Sequence, residues 1–201
     1  MVASRFRLAA LSVAALAVVA CAKKDNTTTD TTAVTGTMAD TSAMAASSTT
    51  PAATWSDANI FALLDEANAA DSSAGSVAAT KGTAAAVRSF AKDMMRDHHT
   101  LRTQGAALAK KLNVTPSAPG DDPVPNMAQT ETNTLTSTAK GKDFDKAYID
   151  AEVDAHKAVL DLATKAAGQT QTTELKNLIQ KAAPVIQAHL TKVEAIQKTL
   201  K

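Results

Sequence analysis

Apolar positions recur at steps of three and four residues through most of the chain beyond residue 55, the period of helices with one buried face. The clearest case is the stretch Val87, Phe90, Met94, His98, Leu101, Gly105, Leu108, Leu112. It predicts a helix from about Thr83 to Leu112. A first helix is expected from Ser56 or Asp57, good N-caps, along Ile60, Leu64, Ala67, Asp71, Ala74 and Ala78, with Gly82 as its stop. After a loop at 114–125 with four prolines and a glycine, a Thr-rich piece from Met127 to Ala139 reads as a short crossover helix ended by Gly141. A fourth helix, capped by Asp143, carries Phe144, Tyr148, Ala151 and Ala155 on one line and Ile149, Val153, His156, Leu160 and Ala163 on the next. Gly168 is its expected stop. The last runs from about Thr172 through Leu175, Ile179, Ala182, Ile186, His189, Val193, Ile196 and Leu200, with Pro184 expected to kink it. Four long amphipathic helices and one short one predict an all-α fold, a four-helix bundle with the short element on the crossover.

Four polar residues interrupt these apolar lines: Asp71, His98, His156 and His189. Asp71 is 14 residues past Asp57, His98 is 15 past Thr83, His156 is 13 past Asp143 and His189 is 17 past Thr172. At ~1.5 Å per residue all four fall ~20–26 Å from their helix starts, near mid-height. Helix direction matters little at a midpoint, so the coincidence holds for any topology. Three neutral imidazoles and a carboxylate form a ligand set for one transition-metal ion such as zinc, copper, iron or nickel. Asp97 and Glu152 are the candidate outer partners that would orient the imidazoles. The alternative is a hydrogen-bonded polar layer that sets helix register without metal. His99 falls off the seam and should face solvent, and the Met94–Met95 pair reads as packing rather than a copper site.

Composition narrows the classes. Aromatics are 3% of the chain and glycines number 7, which disfavours a β-sandwich. From Trp55 onward 17 Lys and Arg balance 17 Asp and Glu, so no clustered positive charge points to nucleic acid.

Ahead of the helices, residues 1–20 read as a signal peptide. Arg5 and Arg7 precede an apolar run, Leu8 to Ala20, too short for a spanning helix, which needs ~20 residues. The run ends Val18-Val19-Ala20-Cys21, which resembles the bacterial lipobox and implies lipidation of Cys21, a membrane anchor through acyl chains. An ordinary signal peptide ending near a cysteine is the alternative. Cys21 is the sole cysteine, so no intrachain disulfide or thiolate cluster can form. Ala22 rather than Asp after the cysteine is similar to the pattern that sends lipoproteins to the outer membrane in enteric bacteria. The expected location is therefore the periplasmic side of the envelope. Residues 21–54 hold the anchor and a stretch with 11 Thr and 3 Ser and no apolar period, expected to be a disordered tether, or alternatively a glycosylated stalk. Residues 55–201 form the expected bundle.

Three blocks, VRSFAKDMMRDH, FDKAYIDAEVDAH and LKNLIQKAAPVIQAHL, together resemble the bacterial domain-of-unknown-function four-one-four-two family, often called outer membrane proteins with a ferritin-like fold. The resemblance covers roughly residues 57–199 and implies an exported ferritin-like bundle of unassigned function. It places His98, His156 and His189 on the family's recurrent histidines, and Asp71 where relatives often carry Glu. Di-iron members of that fold use Glu-x-x-His. Here Met95, Val153 and Ile186 stand three residues before the histidines, so a di-iron oxidase is not expected.

Two readings of function follow. The first is a non-enzymatic, lipid-anchored binding or stress module of the envelope, since no Ser/His/Asp or Cys/His nucleophile motif is present. The alternative is a metal-binding redox or storage protein built on the mid-bundle histidines. A homo-oligomeric stalk is a third, as bundle seams also pair between chains. Protein partners are not legible.

Overall fold

A computed structural model describes residues 54–200, and all secondary structure among them is helical. The expected signal segment, Cys21 and nearly all of the expected tether lie outside the described residues. Five helices follow in order: α1 Asp57–Lys81, α2 Ala85–Lys111, α3 Val124–Ser137, α4 Lys142–Gln169 and α5 Thr173–Gln197.

The helix ends show where local signals governed and where tertiary contacts did. Ser56 caps α1 in a reciprocal box with Asn59, and Gly82 closes it, as the sequence predicts. Thr83 does not cap α2, which starts at Ala85. Its free amides are instead satisfied from another helix: the buried Asp145 carboxylate accepts from the backbone N–H of Thr83 at 2.8 Å and of Ala84 at 2.7 Å. Helix α3 begins at Val124, earlier than expected, with Pro125 in its first turn, where its missing N–H costs nothing. Gly141, at φ 153°, precedes α4 in place of Asp143. Gly168 does not stop α4; the helix continues to Gln169 and closes through the Thr170 N–H on Ala166. Helix α5 is continuous across Pro184, and Leu200 lies beyond its end.

Packing fixes the connectivity. One core cluster joins Ala74 and Ala78 of α1 to Val87, Phe90 and Met94 of α2, Phe144 and Tyr148 of α4 and Val193 and Ile196 of α5. A second joins Ile60 and Leu63 of α1 to Ala109 of α2, Ala163 and Ala166 of α4 and Leu175 and Ile179 of α5. Hence α1 and α5 run one way and α2 and α4 the other. Because α2 and α4 are parallel, the connection between them must travel the length of the bundle. Helix α3 makes that journey over α1 and α4, from Val124 in the second cluster to Leu135 in the first. Lys81 at the end of α1 pins it by donating to the Leu135 carbonyl at 2.6 Å. This is a four-helix bundle with one long crossover, the ferritin-like arrangement.

Helix α1 packs chiefly on α2, and α4 on α5. The α1–α2 contact is close at Gly75, where a Cβ would sit 2.8 Å from the Ala91 carbonyl oxygen and 3.1 Å from the Met94 Cβ. At the far end Asp57 receives the Thr170 hydroxyl at 2.6 Å and also that of Thr172, tying the α4–α5 turn to the start of α1. Between the two apolar clusters lies a layer of buried polar side chains.

Candidate metal centre

His98, His156 and His189 occupy positions where the helical period demands an apolar residue, so folding of the bundle turns all three inward. His98 and His156 are essentially inaccessible and His189 nearly so. Their ring centroids lie 5.7 Å apart for His98 and His156, 5.3 Å for His98 and His189, and 5.6 Å for His156 and His189. Phe90 caps the group from the side of the first core cluster, its ring 6.3 Å from that of His156 and edge-on to His189 at 6.4 Å.

The outer nitrogen of each ring has a partner that sets its tautomer. His98 Nδ1 faces Asn68 Oδ1 at 2.8 Å, and the Asn68 amide nitrogen is committed to the Leu64 carbonyl at 2.6 Å. The amide oxygen therefore points at His98, and Nδ1 carries the proton. His156 Nδ1 donates to the Glu152 carbonyl oxygen at 2.8 Å, one turn back on its own helix. His189 Nε2 donates to the Asp97 carboxylate at 3.0 Å, and Arg96 holds that carboxylate at 2.8 Å.

With those protons placed, His98 Nε2, His156 Nε2 and His189 Nδ1 are bare lone pairs. All three are buried without a hydrogen-bond partner among the described residues. One ligand nitrogen from each ring falls within 4.8 Å of the others. Tetrahedral zinc with Zn–N bonds of ~2.05 Å places its ligand nitrogens ~3.3 Å apart, so a modest inward turn of the rings would bring them to a common ion. Three buried lone pairs without a donor are costly, and a shared cation would compensate all of them at once. Burial, with the neighbouring His156 and His189, holds His98 down at about 3, so it stays neutral and free to ligate across the physiological range. Burial also lowers His189, against the pull of Asp97.

Asp71 is buried in the same layer but stands behind His98. Its carboxylate is 3.3 Å from Nδ1, the protonated side, and it is outside the group of facing ligand atoms. Glu152, singled out as an outer partner, acts on His156 through its backbone carbonyl. Its side chain is wholly buried, 3.3 Å from His156 Nδ1, with both carboxylate oxygens lacking a hydrogen bond. Burial pushes Glu152 up to about 8, and burial together with the Glu152 charge pushes Asp71 well above the usual carboxylate range. His99 is exposed, Met94 is buried in the core and Met95 faces out.

Three participants escaped the sequence reading. Asn68 lies one turn before Asp71 and beside the apolar line, so its position was available but its polarity looked like an ordinary helix flank. Tyr148 reads as core and is core, with a buried hydroxyl facing the polar layer rather than solvent. Glu131 on α3 sits in a weakly patterned helix with no apolar line to interrupt. Its burial, with the Glu152 charge, raises it to about 8.

Residues 41–196 match a family described as a domain of unknown function, DUF4142. The crystal structure of a DUF305 fragment from Deinococcus radiodurans aligns with a TM-score of 0.62, covering 73% of this chain and 98% of that one, at 12% sequence identity. At that identity the likeness is one of fold. No curated protein matches.

Proposed function

The chain belongs to the DUF4142 family, which carries no assigned activity, and we propose from its own residues that the bundle binds one transition-metal ion through His98, His156 and His189. The observation that carries this reading is a set of three buried histidines with one ligand nitrogen from each within 4.8 Å of the others, every ring having one buried, unpartnered nitrogen and a hydrogen bond on the other. That pairing of a free inner nitrogen with an anchored outer one is how proteins hold metal-ligating histidines. An all-imidazole set suits zinc, copper, iron or nickel. Asp71, Asp97 and Glu152 then serve as outer partners, and release of the protons that burial holds on Asp71 and Glu152 would balance the ion's charge in the low-dielectric core. This puts metal binding ahead of the purely non-enzymatic stress module, and leaves storage or carriage of the ion as the simplest role.

The proposed setting is the cell envelope. Cys21, at the end of a signal-like run, would carry the acyl anchor, and residues 22–54 would tether the bundle at the periplasmic face of the outer membrane. No described helix is long and apolar enough to cross a membrane. Loss of palmitate labelling in a Cys21→Ser chain would test the anchor.

The test of the central reading is elemental analysis of the purified chain, made without a histidine tag and without chelator. About one equivalent of a transition metal, lost on His156→Ala, is the expected result. A folded chain that holds no metal and whose melting temperature ignores added zinc, copper or iron leaves only a structural polar layer.

A further inference from the structure

Two cavities flank the histidine layer, and they differ in chemistry. The first, about 490 Å³, is enclosed by α1, α2, α4 and α5. Its walls include Asn68, Leu101, Val159 and Ile186, each one helical turn from Asp71, His98, His156 or His189. It is largely apolar; Asp65 and Arg102 neutralise each other at 2.8 Å, and Glu66 is its one carboxyl outside an ion pair, against five carboxylates in the second. The second, about 890 Å³, lies between α1, the crossover helix α3 and α4. Five carboxylates line it, those of Asp71, Asp121, Glu131, Asp154 and Asp161, against the single ammonium of Lys165. That ammonium is engaged over the Trp55 ring, 3.6 Å from its centroid.

The carboxylates are graded by depth. Asp121, Asp154 and Asp161 are exposed, Glu131 is half-buried and Asp71 is buried. Asp71 touches both the cavity and His98 Nδ1, at 3.3 Å. Just beyond it, Glu152 is wholly buried with both oxygens unpartnered, and its charge acts on Asp71 and on Glu131 alike. A buried, unpaired carboxylate is costly unless a proton or a cation compensates it. A hydrated cation crossing the first cavity would meet one carboxyl outside an ion pair, that of Glu66, before the histidine layer. In the acidic cavity each lost water can be exchanged for a carboxylate oxygen, and low-dielectric walls lined by one sign of charge focus the field on the mouth.

We propose that the cavity between α1, α3 and α4 is the path by which a divalent transition-metal cation enters the bundle, steered by Asp154 and Asp161 and handed inward by Glu131. This inference rests on the metal reading above. It assigns a purpose to the crossover helix, which brings Glu131 to the level of the histidines.

The experiment is stopped-flow loading of the metal-free full chain with Co(II), followed by its ligand-field absorption. With Asp154→Asn and Asp161→Asn combined, and separately with Glu131→Gln, the loading rate at low salt should fall about tenfold, the scale of electrostatic steering. Added salt should erase most of the difference for the Asp154/Asp161 pair, whose role is steering, but not for Glu131→Gln, whose role is ligand exchange inside the cavity, while the final absorption still reports one bound ion. Asp65→Asn, at the apolar cavity, should load at the wild-type rate. Wild-type rates in the acidic-cavity variants, or an equal slowing in Asp65→Asn, would overturn the entry path and leave the metal site standing. A wild-type chain that takes up no Co(II) would remove the metal reading itself.

Discussion

Asp97 is the chain neighbour of His98, yet its carboxylate serves His189, accepting from Nε2 at 3.0 Å across the interface between α2 and α5. The two adjacent residues therefore hold the site in different ways. His98 offers a nitrogen to its centre, and Asp97 orients a ring that arrives from the other half of the chain. Arg96 grips Asp97 through both carboxylate oxygens, at 2.8 and 3.0 Å, and so fixes the acceptor. Replacing an outer carboxylate of this kind typically costs 10–100-fold in metal affinity. Asp97→Ala is expected to weaken binding by about that factor while keeping one ion per chain. Competition against a chromophoric chelator measures it, and an unchanged affinity would deny Asp97 its orienting role.

His156 separates a ligand from a structural residue. In the metal-free bundle its Nε2 is buried with nothing to bond, a penalty of about 1–3 kcal/mol for such a group. His156→Leu removes that penalty and fills similar space. The metal-free variant should melt no lower than the metal-free wild type, yet gain nothing when metal is added. A drop of more than about 2 kcal/mol in the variant would mean that the ring is needed for the fold.

Much of this was legible because helical periodicity is a strong signal and each histidine violates it. Interrupting an apolar line is visible without knowing which helices touch. Convergence on one height followed from counting along each helix, and the rings do meet. Asp71 met the same criteria and stands behind a ring instead, because period and height place a residue in a layer without saying which side of a neighbouring imidazole it reaches. The Asp97–His189 pairing was out of reach, since α2 and α5 meet only through the tertiary fold. Glu131 was invisible for a different reason: α3 lies outside the four-helix core, and its inward position comes from the crossover path rather than from any pattern of its own. The Asp145 cap on α2 is hidden likewise, a local need met by a distant carboxylate.

The metal-free bundle should be most stable in mildly acidic solution. Glu131 and Glu152 rise from 4.5 to about 8 on folding, chiefly through burial, so the folded state keeps protons that the unfolded chain has released. Their contribution is full below pH 4.5 and disappears as pH climbs through 8. His98 falls from 6.5 to about 3, so the unfolded chain binds a proton that the folded state refuses, and stability is lost as pH drops from 6.5 towards 3. Between 4.5 and 6.5 the two trends oppose. Melting temperature should therefore decline from pH 6.5 to 8 and again from 4.5 to 3, with Glu152→Gln flattening the alkaline arm. A melting temperature that climbs steadily to pH 8 would contradict this.

Gly75 controls how near α1 comes to α2. A side chain there meets the Ala91 backbone oxygen, which cannot turn aside as a flexible side chain could. Gly75→Val should destabilise the bundle by about 1–3 kcal/mol, the cost of overpacking a well-packed contact. It should also weaken metal binding, because Asn68 and Asp71 ride on α1 and His98 on α2. Denaturant unfolding and a metal titration of the same variant check both. A stability loss with unchanged affinity would show that the spacing of the two helices is not transmitted to the ring.

The pairing of α1 with α2 and of α4 with α5 makes the chain two helical hairpins laid together. The first brings one imidazole and the second brings two, and the Asp97 carboxylate reaches from one to the other. Neither hairpin alone owns a site. The order of assembly is thereby constrained: local hairpins can form early, but a three-coordinate pocket exists only after they dock and the long crossover has closed. An ion held there would act as a latch on the final step, slowing the bundle's opening more than it speeds its formation.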